Sequence, residues 1–335
     1  MEHAQTRTER IVISVVIPTY NRSDALARTL SHLPGQQFNR SWELIVVNNR
    51  STDDTDEVVR RQSFPVPLRL LHEDRPGVAS ARNAGARSAN GEYLVFLDND
   101  ILVEPDFIQR HYDALAANPG CWIQGQVVNL PEQQNTPFGR FRTSLYGCFP
   151  PEHVAFETDW LTGQSVSLPR TDFERLGGFD ETFPSASVED YDFAIRARQQ
   201  GIKILFQPSI LAIHNDWAGF SIRDYCRRQR LYTQAEPLFW RKYGDRHIRL
   251  DLVRQNLPLD WKGDGPALLA KKLLKNALAS HGWQRSLSGA CDLLERTWPW
   301  PPLLYRLYRL MLAVAIYQGF QEGLKIHHIT REESN

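Results

Sequence analysis

This sequence of 335 residues lacks several features that mark common protein classes. Its N-terminal half contains neither a GxGxxG nor a GxxxxGK[ST] segment, which argues against a dinucleotide-binding fold and against a P-loop. The four cysteines show no CxxC spacing, and the first ten residues are polar without an apolar stretch. We therefore expect a reduced, cytoplasmic protein without a signal peptide.

Long apolar runs are also missing. The longest one near the C-terminus, Leu310 to Ile316, has seven residues, whereas a helix needs roughly 20 to cross the hydrocarbon core of a membrane. A content of 42% apolar and 23% charged residues is ordinary for a globular protein. The length predicts two domains or one large one.

The formal net charge is zero, but the charges are distributed unevenly. Residues 1–220 contain 20 Lys and Arg against 28 Asp and Glu, whereas residues 221–335 contain 19 against 11. A basic C-terminal part is typical of proteins that meet an anionic neighbour, such as a membrane surface or nucleic acid. A solvated helical face is the more common explanation and stays open as the alternative.

Strand-like and helix-like patterns alternate four times in the first hundred residues. Apolar, strand-favouring runs occur at Ile11 to Ile17, Glu43 to Val47, Leu68 to His72 and Tyr93 to Leu97. Helical spacing or helix-capping residues follow the first three of them. This alternation predicts an α/β fold with a parallel sheet and helices on both faces.

Polar side chains follow each of these strands. They are Thr19 and Asn21, Asn48 and Asn49, Arg75, and Asp98 and Asp100. Because ligands collect beyond the carboxyl ends of the strands in an open parallel sheet, the loops predict a nucleotide site. Two nearby carboxylates would hold Mg²⁺ or Mn²⁺ against a diphosphate. Asp and Asn are also common turn residues, so loop polarity alone remains the alternative.

Four sequence segments are more specific than the strand pattern. They are SVVIPTYNR at residues 14–22, STDDT at 51–55, ARNAG at 81–85 and GEYLVFLDND at 91–100. In this order they resemble family 2 glycosyltransferases with the GT-A fold, and the resemblance continues through GGFDE at 177–181, EDYD at 189–192 and His214.

The resemblance, which covers residues 11–216, implies a domain organisation. A catalytic GT-A domain would occupy residues 11–220, with a nucleotide-sugar half at 11–100 and an acceptor half at 101–220. A tail of residues 1–10 would precede it, and a helical region of residues 221–335 would follow.

The loops and the resemblance together predict the residues of a donor site. Those expected to bind the nucleoside diphosphate sugar are Thr19, Asn21, Asn48, Asn49, Arg75, Arg82 and Asp98. The resemblance implies that Asp98 and Asp100 bind the metal, with His214 as a third ligand that favours Mn²⁺ over Mg²⁺. Many family members have a carboxylate where this chain has Asn48 and Asn49, so the identity of the base stays open.

A candidate base comes later in the sequence. Asp190 matches the position of the carboxylate that takes the acceptor proton in single-step, inverting glycosyl transfer. The neighbouring Glu189 would raise the pKa of Asp190 if its carboxylate faces that of Asp190, and the alternative that it points elsewhere stays open. Alternatively, both carboxylates only stabilise the N-terminus of the helix predicted after them.

Two further regions are predicted from their composition. The segment from Asn129 to Asp159 contains four prolines and is predicted to be a lid or acceptor loop, or else disordered. The pattern from Ser221 onward is helical. We expect its last helix, Leu303 to Gly319, to pack against the catalytic domain, with a helix lying in the membrane interface as the alternative.

These features predict a metal-dependent inverting glycosyltransferase that moves a sugar from a nucleoside diphosphate sugar to a saccharide acceptor, which in one version is lipid-linked. The C-terminal region would then meet the inner face of the membrane as a peripheral contact, and no nucleic acid partner is expected. A sugar nucleotidylyltransferase is one alternative, although it would have a glycine-rich loop after the first strand. A non-catalytic carbohydrate-binding protein is the other, although it would not need Asp98, Asp100 and Asp190 together.

Overall fold

A computed structural model describes five stretches of the chain: residues 10–145, 149–183, 188–216, 221–244 and 250–329. They form two compact units. The first contains residues 10–130, 149–182 and 189–216, and the second contains residues 131–145, 183, 188, 221–244 and 250–329. Apart from Arg10, the predicted tail of residues 1–10 lies outside the described residues, as does Cys148.

The first unit is built on one mixed sheet. Its strands are β1 (Ile13–Thr19), β2 (Trp42–Asn48), β3 (Leu68–His72), β4 (Tyr93–Leu97), β5 (Ile101–Val103), β6 (Cys121–Asn129), β7 (Phe156–Thr158), β8 (Ser165–Pro169) and β9 (Lys203–His214). The strand order is β3-β2-β1-β4-β8-β6-β9-β5, with β7 also paired to β9. The first four strands in this order are parallel, and β8 runs antiparallel to both of its neighbours.

The helices follow the same chain order. They are α1 (Ser23–Ser31), α2 (Thr55–Arg60), α3 (Val78–Ser88), α4 (Phe107–Ala117), α5 (Pro137–Thr143), α6 (Arg170–Leu176), α7 (Glu189–Gln199), α8 (Ile222–Tyr232), α9 (Glu236–Tyr243), α10 (Leu250–Asn256), α11 (Pro266–Leu278), α12 (His281–Thr297) and α13 (Pro301–Ile326). Helix α5 and helices α8 to α13 belong to the second unit. The predicted sheet with a C-terminal helical region is confirmed.

Helices cover both faces of the sheet because side chains alternate along each strand. Val15 of β1 packs in one apolar cluster with Leu26 of α1, whereas Val16 packs in a second cluster with Ala81 of α3. Helix α3 lies very close to β1, since a Cβ at Gly85 would be 2.4 Å from Cγ1 of Val16. The carboxyl ends of β1 and β4 are therefore held between two packed layers.

The second unit packs around α13. Phe138 and Phe141 of α5 join Tyr225 of α8 and Tyr308 of α13 in one buried aromatic cluster. Helices α8 and α13 approach closely, because a Cβ at Gly319 would lie 2.1 Å from the carbonyl oxygen of Arg230. The apolar face of α13 is thus used within this unit.

One expectation from the sequence needs correction, and one stays untested. The described part of 129–159 is not a structureless loop: it contains a short 3₁₀ helix (Pro131–Asn135), α5 and β7. Leu303 to Gly319 lies inside α13, which packs on α8 and α12 of its own unit, and packing on the catalytic domain stays a prediction. The residues from Leu310 to Ile316 are buried or partly buried, and a position of this helix in a membrane interface stays a prediction. Among the described helices, none is long and apolar enough to cross a membrane.

Candidate active site

The carboxyl ends of β1 and β4 are joined by a side-chain hydrogen bond. Asn99, which follows β4, donates from Nδ2 to Oγ1 of Thr19 at 2.7 Å, and both side chains are buried. The turn after β4 is therefore fixed relative to the end of β1. A donor contact from Thr19 stays a prediction.

The amide side chains of the first two loops hold these loops together. Asn21 adopts a left-handed backbone with φ of 48°, and its Oδ1 accepts from the backbone N–H of Thr52 at 2.7 Å. Asn48 donates to Asp56 at 2.6 Å, and Asn49 donates to the carbonyl oxygen of Glu73 at 2.8 Å. These bonds give the three amides a structural role. Contacts between the amides and the donor stay a prediction.

Arg75 lies in the loop after β3 and is half exposed. It forms ion pairs with Glu73 at 3.0 Å and with Glu181. Its carbonyl oxygen accepts a hydrogen bond from Asn49 at 2.7 Å. Arg75 thus follows β3 as predicted, and its guanidinium is paired with two carboxylates. Its role in donor binding stays a prediction.

Arg82 is the centre of a buried ion cluster in the first unit. Its guanidinium contacts Asp98 at 2.9 Å, Glu189 at 3.0 Å and Asp190 at 3.0 Å. The Arg82 side chain is 3% exposed. Burial alone would lower the pKa of Arg82, but the charges of Asp190, Asp98 and Glu189 outweigh it and raise that pKa. One guanidinium therefore joins the end of β4 to the start of α7.

Gly163 completes the surroundings of Asp190. Its backbone N–H donates to Oδ2 of Asp190 at 2.8 Å, while Arg82 holds Oδ1. A Cβ at Gly163 would lie 2.1 Å from Cζ of Arg82, so a side chain there would displace the guanidinium. Nε of Arg82 is buried and has no hydrogen-bond partner in the described part of the chain. A ligand acceptor or a water would satisfy it.

The pKa of Asp190 is raised from its ordinary value. Burial is the largest cause, Arg82 and the Gly163 N–H act in the opposite direction, and the charge of Asp98 adds to the rise. The carboxylate that contributes to the rise is Asp98, and Glu189, which was expected to do so, contacts the same guanidinium. Asp190 and Glu189 also lie in the first turn of α7, so the stabilising effect on the helix N-terminus applies as well.

Asp100 and His214 form a second group at this edge of the sheet. The register of β5 on β9 pairs Ile101 with His214, and Nε2 of His214 lies 3.3 Å from Oδ2 of Asp100. Arg22, which follows β1, contacts the same Oδ2 at 3.1 Å and Asp216 at 3.6 Å. The predicted metal ligands Asp100 and His214 are therefore neighbours.

This pair fits part of a metal site. Within the described residues no group of three His, Cys, Asp or Glu is close enough to hold a metal ion. Mg²⁺ and similar ions are usually bound by one or two protein side chains, with substrate phosphates and water as the remaining ligands. Asp100 and His214 supply such a pair, whereas Asp98 is held on Arg82. Metal binding by Asp98 stays a prediction.

Sequence reasoning assigned no role to Arg22, Gly163 and Asp216. Arg22 ends the segment SVVIPTYNR, and a cation directly after β1 at an edge with two aspartates was an available signal. Gly163 and Asp216 offered none, because their contacts join residues far apart in the sequence.

Comparison with known protein families identifies the family of this chain. The sequence model described as "Glycosyl transferase family group 2" matches residues 93–319, and the one described as "Glycosyl transferase family 2" matches residues 14–167. The chain belongs to the family 2 glycosyltransferases.

Individual relatives cover different shares of the chain. Validoxylamine A glucosyltransferase of Streptomyces hygroscopicus subsp. jinggangensis is 32% identical over an alignment of 220 residues that covers 57% of this chain and 52% of that protein. The chain thus spans about half the length of this relative. Amylovoran biosynthesis glycosyltransferase AmsB of Erwinia amylovora is 27% identical over 282 residues, with 78% of this chain and 88% of that protein covered.

Solved structures with the same fold include two glycosyltransferases. Mannosyltransferase PcManGT from Pyrobaculum calidifontis, in complex with GDP-Man and Mn²⁺, superposes with a TM-score of 0.61 at 20% identity, over 94% of this chain and 89% of that one. S. aureus TarS 1-349 in complex with UDP-GlcNAc gives 0.51 at 16% identity, over 95% and 92%. These likenesses show the GT-A fold.

Proposed function

We propose that this chain is a metal-dependent, inverting glycosyltransferase that transfers a sugar from a nucleoside diphosphate sugar to a saccharide acceptor. The observation that carries the proposal is the Arg82 cluster, which brings Asp98 from the donor side of the sheet to Asp190 on α7. Membership in the family supports the reaction class. The GDP-Man and UDP-GlcNAc in the structures of PcManGT and TarS support the donor class.

Asp190 is the proposed base. The hydroxyl oxygen of the acceptor attacks the anomeric carbon, the bond from that carbon to the diphosphate breaks, and the hydroxyl proton passes to Asp190. Each oxygen of Asp190 already accepts one hydrogen bond, but a carboxylate oxygen has a second lone pair for the acceptor hydroxyl. One displacement from the opposite side inverts the anomeric configuration.

Asp100 and His214 are the proposed metal ligands. A divalent cation would neutralise charge on the leaving diphosphate. Arg22 now occupies Oδ2 of Asp100, so metal binding requires this guanidinium to move or to turn towards the phosphates. The Mn²⁺ in the structures of PcManGT and GalNAc-T7 supports a divalent ion, and the imidazole ligand favours Mn²⁺.

The acceptor is proposed from the names of relatives. AmsB, an O-antigen biosynthesis protein of Myxococcus xanthus and chondroitin synthase of Escherichia coli are all similar to this chain. They support a saccharide acceptor in polysaccharide assembly. A lipid-linked form of that saccharide would bring the protein to the inner face of a membrane as a peripheral contact.

A donor screen tests the proposal and its alternatives. Purified protein is incubated with UDP and GDP sugars, with and without Mn²⁺, and release of nucleoside diphosphate is measured. A sugar nucleotidylyltransferase would instead release pyrophosphate from a nucleoside triphosphate and a sugar phosphate, and a carbohydrate-binding protein would release neither. A donor present at 100 times its dissociation constant should also add about 2.7 kcal/mol to the free energy of unfolding.

A further inference from the structure

The second unit contains a cavity of its own, between three helices. Its volume is about 360 Å³, within the range of roughly 300–1,000 Å³ typical of small-molecule sites. Residues of α8, α12 and α13 line it at helical spacing, such as Arg223, Cys226 and Arg230 on α8 and Met311, Ala315 and Gln318 on α13. Each helix thus presents one continuous face to the cavity.

The walls of the cavity are basic. Arg223, Arg227 and Arg230 lie on α8 and Arg285 lies on α12, and no acidic residue lines the cavity. Arg223 is paired with Asp292, and Arg230 is paired with a glutamate of α13. The walls therefore carry four guanidinium groups, two of which are already well neutralised.

Arg227 and Arg285 are the guanidinium groups left for a ligand. The partner of Arg227 is Asp224 on the same helix at 3.5 Å, and the Arg227 side chain is 75% exposed. Arg285 is exposed and has no ion pair within the described residues. An exposed pair of this kind is worth little, so its replacement by a phosphate costs little. Guanidinium groups bind phosphate through paired, charge-assisted hydrogen bonds.

The floor of the cavity is apolar. It is formed by Met311, Val314 and Ala315 of α13. Two lining glutamines are paired with each other, since Gln284 donates to Oε1 of Gln318 at 2.7 Å. Neither a free anion nor a neutral apolar molecule matches both the basic walls and this apolar floor.

We propose that this cavity binds an amphiphile that carries a phosphate head on an aliphatic chain. The head lies on Arg227 and Arg285, and the chain lies along the floor of α13. Two sources share this chemistry, a phospholipid and a lipid phosphate that carries a saccharide. The site lies wholly in the second unit, so the inference does not depend on the proposed transfer reaction.

Calorimetric titration of the full chain tests this site without any donor sugar. The probes are octyl phosphate below its critical micelle concentration, inorganic phosphate and octyl glucoside. Octyl phosphate should bind at least ~100-fold more tightly than inorganic phosphate, because each buried methylene adds to the affinity. Octyl glucoside, which lacks the charge, should bind at least ~10-fold more weakly than octyl phosphate. Equal affinity for octyl phosphate and either of the other probes would overturn the proposal.

Variants locate the binding to this cavity. Arg227→Gln plus Arg285→Gln should weaken octyl phosphate binding by about 10-fold or more. Ala315→Leu should also weaken octyl phosphate binding, because the larger side chain fills space above the apolar floor. This variant keeps all the arginines. The matched control is Arg60→Gln plus Arg61→Gln, which removes two exposed charges of the first unit that do not line the cavity. If the control loses as much affinity for octyl phosphate as the cavity variants do, the cavity is not the site. The same holds if neither cavity variant loses affinity.

Vesicles separate the two sources of the ligand. The double variant Arg227→Gln plus Arg285→Gln and the unchanged chain are compared for sedimentation with phosphatidylglycerol vesicles and for binding of a soluble isoprenyl phosphate. Weaker binding of the variant in only one arm supports the site and identifies which ligand it takes. Weaker binding in both arms supports a site that takes either ligand. Unchanged binding in both arms contradicts a phosphate-headed ligand.

Discussion

In the first unit the charged side chains of the candidate site are turned inward, whereas the arginines around the cavity of the second unit reach solvent. The Arg82 side chain is 3% exposed and contacts three carboxylates at 2.9–3.0 Å. The Arg227 side chain is 75% exposed and contacts a single carboxylate at 3.5 Å. Burying charges costs free energy that the ion pairs recover only in part, so a buried cluster is poor evidence for stability. The difference is what the two proposals require, because a positioning cluster has to be held in place and a ligand site has to leave its charges accessible.

The clearest test of the first unit is Asp100→Ala. It should abolish metal-dependent donor binding and transfer, because the diphosphate would lose a ligand of its counter-ion. Donor binding is followed by titration with and without Mn²⁺. Asp113→Ala removes an exposed aspartate of α4 and serves as the control. Near-normal turnover of Asp100→Ala at saturating donor would mean that the metal assignment is wrong.

The second test is Asp190→Asn, which keeps the shape and removes the proton acceptor. Turnover should fall by roughly 10² to 10⁴, while donor affinity barely changes. NMR of the isolated product gives its anomeric configuration, which should be inverted relative to the donor. A product that retains the donor configuration rules out the single-base mechanism.

The third test concerns the positioning role of Arg82. Because Arg82 lowers the pKa of Asp190 against the effect of burial, Arg82→Gln should raise this pKa further. Asp190 is active as the carboxylate, so the acid limb of kcat/KM should move to higher pH. Arg82→Lys keeps the charge and should leave the limb nearer to that of the unchanged chain. An acid limb at the same pH in all three proteins would contradict this role.

The same variant should also change stability. Arg82→Gln leaves buried carboxylates without their cation, so the free energy of unfolding should fall by about 3–5 kcal/mol at neutral pH. The deficit should shrink as the pH falls, because protonation of Asp190, whose pKa is raised in the folded state, removes an unpaired charge. Urea unfolding across pH measures it. A deficit that grows towards acid pH would mean that these carboxylates are not the cause.

The sequence predicted the local features of the first unit well, because they depend on residues close together in the chain. The buried strand that ends at Leu97 and the aspartates after it follow from an apolar run and its polar end. The contact between Arg82 and Glu189 joins residues 107 positions apart, and no local pattern specifies it. The contact arises because α3 and α7 pack on the same face of the sheet.

The second unit shows a different kind of failure. Four prolines made 129–159 look structureless, yet Thr136 caps α5 by accepting a hydrogen bond from Gly139, and Pro137 occupies the first turn. Proline there is favourable, since the first N–H groups of a helix have no partner within it. The spacing of Met311, Val314 and Ala315 marks a helical face, but only the distance between three helices decides whether that face meets side chains or a cavity.

The smallest expected effect is on binding to membranes. The test compares exposed arginines on the outer surfaces of the two units. Trp298 and Trp300 stack with their ring centroids 5.9 Å apart and are both exposed, shortly before α13. Arg306 and Arg309 are exposed on the first turns of that helix. Although the apolar face of α13 is buried, this outer surface combines the aromatic and basic residues typical of contact with an anionic leaflet.

The chain should therefore co-sediment with anionic but not with neutral vesicles, and less so at high salt. Arg306→Glu plus Arg309→Glu should weaken this binding, since each arginine contributes about 1 kcal/mol near an anionic surface, and donor hydrolysis in solution should stay unchanged. Arg60→Glu plus Arg61→Glu makes the same charge change on α2 of the first unit, where both side chains are exposed, and should have little effect. Equal recovery with both vesicle types, or with neither, would leave this surface of the second unit without a membrane role.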